Sequence, residues 1–276
     1  MRPSKIRLFF SYALLIVLSV ISLYPAIWVI MSSFKVGDSL FSETIIPTAL
    51  TLEHYVDLFK ETDYALWYWN TLKISVITMI VGTTLVVMTA YALSRFRFKG
   101  RKFGLMTMLV ITMFPSFMGM IAIYILLMQI GLLDTHFALI LVYSTGAIVG
   151  GAWVAKGHFD SLPRGLEEAA MIDGATNWII FTRIMLPLSK PILTFVALTS
   201  FIGPWMDFIF AKLVLRSSEK KTLAVGLYEM VSTTQSKVEF TTFAAGSVLV
   251  AIPITLLFIF LQRYLIAGLT SGATKG

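Results

Sequence analysis

Six stretches of this chain run for about twenty residues or more with at most one formal charge, and that pattern constrains the fold more than any other feature. In hydrocarbon no water is present to bond a bare amide, so a spanning segment must satisfy its backbone internally. A helix of about 20 apolar residues does this across a core about 30 Å thick. Residues 8–34, 74–94, 103–133, 135–155 and 240–262 carry no formal charge, and residues 191–211 carry only Asp207. The expected architecture is an all-α membrane protein with six transmembrane helices, forming one integral domain over residues 1–276. The run at 8–34 exceeds the roughly 7 to 15 residues of a signal-peptide core, which predicts an uncleaved first span. The run at 103–133 would make a straight helix about 46 Å long, so it must tilt, kink or overrun the interface. Pro115 and Gly119 are the expected kink.

Composition agrees. The chain is 57% hydrophobic and 13% charged, against roughly 25% charge in a soluble domain. It has no cysteine, which excludes disulfide frameworks, thiolate metal sites and a catalytic thiol. The net charge of +7 is unevenly placed: under the six-span reading 14 of the 22 Lys and Arg fall on one side and 8 on the other. The crowded turn Arg95, Arg97, Lys99, Arg101, Lys102 and the basic amino terminus place both termini, and the second and fourth loops, in the cytoplasm. The long fifth loop holds five bases and runs against the rule, which weakens for long loops. In the first outer loop, Trp67, Tyr68 and Trp69 form either an interfacial aromatic belt or, less readily, a sugar-stacking platform.

Several chemistries lack their residues. There is no phosphate-binding GxxxxGK[ST] loop and no HExxH. Of the intramembrane carboxylates and histidines that ion-coupled carriers use, Asp207 alone qualifies. It is a candidate wall position on a translocation path, or a group paired with a neighbouring span. His54, His136 and His158 are scattered at predicted membrane boundaries, and no metal site is expected. A chain that crosses the membrane six times without an energy source of its own implies that another subunit supplies it.

The stretch "RGLEEAAMIDGATNWIIFTRIMLPLSKP" interrupts the apolar pattern within a loop of about 156–190. Ser161, Pro163, Glu167 and Glu168 predict a helix start. Asp173 and Gly174 predict its end, and Thr176 or Asn177 the cap of a second short helix that Leu186 and Pro187 terminate. Ala170 and Gly174, four apart, predict a bare patch for close backbone approach. Two short helices forming a cytoplasmic knob and an ordinary amphipathic interfacial loop both fit this pattern.

Glu168, Ala169, Ala170, then Gly174, then Ile184, Leu186 and Pro187 reproduce the spacing EAA, three residues, G, nine residues, I, one residue, LP. The segment resembles the EAA loop of ABC importer permeases, a non-catalytic subunit type. The resemblance implies that Glu168, Ala169, Ala170, Asp173, Gly174, Ile184, Leu186 and Pro187 couple the chain to an ATPase through a docked helix. The six-span layout and the segments "TLAVGLYEM" and "QRYLIAGLTSGATKG" resemble maltose-type carbohydrate permeases across essentially the whole chain. That family implies a type I importer fold in a bacterial or archaeal plasma (inner) membrane, a second homologous permease, two ATP-binding subunits carrying ATP and Mg, and an extracytoplasmic sugar-binding protein. It also implies that the tail Gly272, Ala273, Thr274, Lys275 and Gly276 contacts the ATPase, and that the loop around 222–237 reaches toward the binding protein. The implied cargo is a maltose or maltodextrin-type oligosaccharide; trehalose, other oligosaccharides, sugar alcohols and glycerol phosphate are carried by the same permease family. A self-sufficient secondary carrier remains a rival class.

Overall fold

The computed structural model describes residues 5–37, 47, 49–232 and 240–273, and within these no strand forms beyond a single bridge between Lys35 and Leu50. Among the described residues, four helices are each long and apolar enough to cross a bilayer: α1 (Lys5–Ser32), α3 (Tyr64–Arg95), α6 (His136–Ser161) and the first 26 residues of α13 (Phe240–Ala273). Counting each of two bent pairs as one span would raise the number to six. In the first, α4 (Arg101–Met113) and α5 (Ser116–Gln129) meet at 109°. Pro115 stands at that break, where it lacks an amide to continue the ladder of α4. The second pair joins 177–188 to α10 (Lys190–Met206) at 81°. Short elements complete the chain: α2 (Glu53–Glu61), α7 (Gly165–Ile172), α8 (Asn177–Ile179), α9 (Leu186–Leu188), α11 (Ile209–Val214) and α12 (Leu223–Ser232).

The backbone clusters into two compact units. One comprises Met1–Ala65 and Gly226–Ile252. Here α1 leaves almost every side chain exposed, as befits a helix whose solvent is lipid. Its interior centres on Leu58 and Tyr64, and the Tyr64 hydroxyl donates to the Gly246 carbonyl at 2.8 Å. A Cβ at Gly246 would lie 2.8 Å from Leu227 and 3.2 Å from Tyr64, so any larger residue would have to push these side chains aside. His54 is buried in the same unit, bonded to the Lys35 carbonyl and the Thr241 hydroxyl, a structural role.

The other unit comprises Leu66–Val225 and Pro253–Gly276 and holds two apolar clusters. Val86, Tyr91, Phe159, Phe181 and Met185 belong to the first, which lies where α3 and α6 meet the 165–188 insert. Ile74, Leu139, Phe210 and Val225 belong to the second. Helix α3 begins at Tyr64, well before the apolar run at 74, because interfacial residues extend it. Two polar residues on that extension tie it to the segment before α12. Asn70 donates to the carbonyls of Glu219 and Lys221, and Thr71 accepts from the Leu223 amide.

Candidate functional site

The insert at 165–188 builds an outward-facing handle on an inward-facing anchor. Helix α7 starts at Gly165, and adjacent acids on a helix point about 100° apart, so Glu167 and Glu168 cannot share an environment. Glu168 is exposed. Glu167 turns in, its Oε1 accepting from Arg95 Nε at 2.5 Å and its Oε2 from the Tyr91 hydroxyl at 3.4 Å. The two charged side chains are only 6% and 8% exposed, which makes this a buried ion pair rather than a surface contact. Arg95 also donates to the Leu162 carbonyl at 3.1 Å, clasping the strap that leads into the handle. The sequence pattern marks Glu167 only as first-turn charge and gives no sign of Arg95 and Tyr91 as its partners.

Ser161 does not cap α7. It is the last residue of α6, and its hydroxyl donates back to the His158 carbonyl at 2.7 Å. The far end of α7 follows expectation. Gly174 adopts φ +83°, Ala175 N–H donates to the Ala170 carbonyl and Gly174 N–H to the Met171 carbonyl. This paired closure needs a left-handed residue, which glycine supplies at no steric cost. A Cβ at Gly174 would meet nothing within 4 Å. Ala169 and Asp173 are exposed beside it, and Ile172, at 88% exposure, stands fully clear of the chain. Ala170 departs from the expected bare patch: it is half-buried against the α3/α6 cluster.

Thr176, not Asn177, caps the second arm, accepting from the Ile179 amide. The arm then passes through a π-helical turn, Ile180–Met185, and continues past Pro187 to Leu188 rather than ending there. The wider π turn shifts the hydrogen-bond register, a place where a proline without N–H is tolerated. Ile184 and Leu186 are half-buried on the same cluster as Phe181 and Met185, while Pro187 is exposed. The eight motif positions therefore divide. Ala170, Ile184 and Leu186 anchor; Glu168, Ala169, Asp173, Gly174 and Pro187 face outward.

Asp207 sits at a break between two helices. Helix α10 ends at Met206 just after Pro204, and Asp207 Oδ1 then accepts from the Phe210 amide at 3.1 Å to start α11. Its Oδ2 accepts from the Tyr143 hydroxyl at 2.5 Å. Both residues line a cavity of about 630 Å³ bounded by α3, α5, α6 and α10. Gly146 and Gly150 keep its α6 wall low, and the hydroxyls of Thr78 and Ser200, also on the wall, have no hydrogen-bond partner among the described residues. Asp207 thus both pairs with a neighbouring span and faces a cavity. A tyrosine inside an apolar run seeks a partner for its hydroxyl, the one available signal for Tyr143.

In the connection between α5 and α6, Asp134 organises the segment after α11. Its carboxylate accepts from the Arg216 amide at 2.8 Å, the Ser217 amide at 3.0 Å, the Ser217 hydroxyl and Lys220 Nζ at 3.2 Å. Burial alone would raise its pKa, but the bonds from Ser217, Arg216 and Lys220 outweigh it and hold the carboxyl well below the usual range. A depressed folded-state pKa contributes stability that is complete above the unfolded value of about 4 and declines as pH falls below it. Asp134→Asn should therefore lower the thermal unfolding midpoint at neutral pH, with the gap to the parent constant above about pH 4 and shrinking below it. A pH-independent gap would remove the carboxylate from this role. His136 bonds the Lys220 carbonyl at 2.8 Å in the same connection.

Other expected features resolve individually. Trp67 is buried, Tyr68 packs its ring on Trp205 at 5.3 Å, and Trp69 is exposed, so the three form no common stacking platform. Among the described residues no cluster of three or more His, Asp or Glu could hold a metal. Gly272 and Ala273 lie on the backbone of α13; Thr274, Lys275 and Gly276, and positions 233–239 of the fifth loop, lie outside the described residues.

Comparison with known proteins identifies relatives over the full chain. The family described as "Binding-protein-dependent transport system inner membrane component" matches residues 82–271. The galactooligosaccharides transport system permease protein GanQ of Bacillus subtilis (strain 168) is 46% identical, covering 98% of this chain and 96% of its own. The maltodextrin transport system permease protein MdxG of the same organism is 42% identical, covering 96% and 95%. A chain from the crystal structure of a bacterial ABC transporter involved in the import of the acidic polysaccharide alginate superposes with a TM-score of 0.82 at 24% identity, covering 96% of this chain and 98% of that one. That likeness carries the fold.

Proposed function

The chain belongs to the family of inner-membrane components of binding-protein-dependent transport systems, the non-catalytic permease subunits of ABC importers, and on that premise we propose that it is half of the membrane pathway of an ATP-driven oligosaccharide importer. The second half is a homologous permease, two ATP-binding subunits carry ATP and Mg, and an extracytoplasmic binding protein delivers the sugar. The observation that carries the reading is the handle. It shows Glu168, Ala169, Asp173 and Gly174 outward while Glu167 and Arg95 lock its other side to α3.

Mechanism follows from that division. Closure of the ATP-binding subunits on nucleotide moves whatever grips the handle. The anchor transmits this to α3 and α6 as rigid rods, and the pathway exchanges between inward and outward openings, a two-state shift driven by differential binding. Glu168 offers a charge-assisted contact to a basic group, and the small residues allow close approach. The tail Gly272 to Gly276 adds a contact with the ATPase, and both termini lie in the cytoplasm. Asp207 and Tyr143 present polar groups to the pathway at the cavity wall.

The cargo is an oligosaccharide, of the galactooligosaccharide or maltodextrin type that the two bacillary relatives are named for. The test is to purify the tagged chain from its native membrane, identify copurifying subunits, and measure binding of galactooligosaccharides and maltodextrins to the associated receptor. Copurification of an ATPase and a second permease is expected. Sugar uptake by the chain reconstituted alone would overturn the assignment in favour of a self-sufficient carrier.

A further inference from the structure

The turn between α3 and α4 carries a charge pattern that the transport mechanism does not use. From position 97 to 103 four cations, Arg97, Lys99, Arg101 and Lys102, alternate with Phe98 and Phe103 around Gly100. A cavity of about 430 Å³ opens between these side chains, with Arg97, Arg101 and Lys102 on its wall beside both phenylalanines. Among the described residues none of the four cations is held in an ion pair. Asp160, whose carboxylate feels Arg101, is already engaged by Lys156 at 2.5 Å and Ser94 at 2.6 Å. Phe98 and Phe103 are 50% and 77% exposed, an arrangement water would penalise. Two apolar helices leave this turn, which places it at a membrane boundary.

We propose that this turn is a binding site for the phosphate headgroup of an anionic phospholipid. The cations take the phosphodiester in the cavity, with the arginine forks supplying paired donors, and Phe98 and Phe103 enter the acyl boundary alongside it. An acidic protein surface would satisfy the cations but not two exposed aromatic rings beside membrane helices, so lipid is the occupant that meets both demands. The inference is independent of the cargo and of the ATPase contact.

The test uses the full-length chain in nanodiscs of phosphatidylcholine, alone or mixed with phosphatidylglycerol, with retained lipids counted by native mass spectrometry. Phosphatidylglycerol should be retained in preference to phosphatidylcholine. Arg101→Gln and Lys102→Gln should each lower that preference about fivefold, the factor set by about 1 kcal/mol per basic side chain near an anionic surface. Arg101→Lys, which keeps the charge, should retain most of it, and Phe103→Ala should lower it with no change in charge. Lys60→Gln, an exposed cation on α2, should leave it unchanged. Inorganic phosphate at millimolar concentration should not displace the lipid; full displacement would assign the site to free phosphate and overturn the lipid reading. Equal retention of the two lipids, or equal losses in Lys60→Gln and Arg101→Gln, would overturn the site altogether.

Discussion

Gly174→Trp is expected to abolish sugar uptake and transport-coupled ATP hydrolysis while leaving the chain inserted at normal abundance. Two effects act at this position, and their sizes decide the outcome. The left-handed φ of +83° costs any residue with a Cβ about 1–2 kcal/mol. That sum is tolerable for a chain held by two buried clusters. The second effect is steric and falls outside the chain: a Cβ there has open space, with nothing within 4 Å. A side chain added at Gly174 therefore starts into open space and projects from the outward face of the handle, where the ATPase is proposed to dock. Asparagine separates the two contributions, because it tolerates the left-handed region and adds little bulk. Gly174→Asn should keep most of the uptake, and membrane insertion of both variants can be followed by protease protection. Normal uptake in Gly174→Trp would sink the docking role of this face.

The parts of this architecture that are legible in the sequence are those with a local cause. The Asp-Gly pair at 173–174 announces the end of α7 because only a left-handed residue closes that helix, and Thr176 announces the next start because a hydroxyl there reaches an amide three residues on. Too long an apolar run with Pro115 inside announces a break, although the bend of 109° depends on packing that no run length encodes. The misses have distant causes. Glu167 finds Arg95 across 72 residues and Asp207 finds Tyr143 across 64, and neither pairing leaves a periodic trace. Ser161 is no cap because α6 runs on to include it, a boundary set by the burial of Phe159 rather than by any cap signal. Ala170 carries the same lesson for the motif itself: spacing identifies the motif residues but not which of them face outward.

That distinction makes the two neighbouring acids the sharpest comparison available. Removing one member of a buried ion pair strands the other charge in a low-dielectric site and costs about 3–5 kcal/mol, whereas removing an exposed carboxylate costs about 0.5 kcal/mol at most. Glu167→Ala and Arg95→Ala should each lower the thermal unfolding midpoint of the detergent-solubilised chain strongly, and each should cut uptake because the handle loses its grip on α3. Glu168→Ala should leave the midpoint unchanged and act only on coupling. The double variant Arg95→Met with Glu167→Leu removes both charges and refills the volume, so it should recover much of the lost stability, as apolar replacements of buried pairs do. Its deficit should fall well short of the sum of the single losses, since residues in direct contact are coupled. Recovery will be incomplete, because Arg95 also donates to the Leu162 carbonyl and Tyr91 to Glu167, and both bonds are lost with the pair. If the single losses instead add in the double variant, Arg95 and Glu167 act independently. The contact between the two charges would then not be what holds the handle to α3.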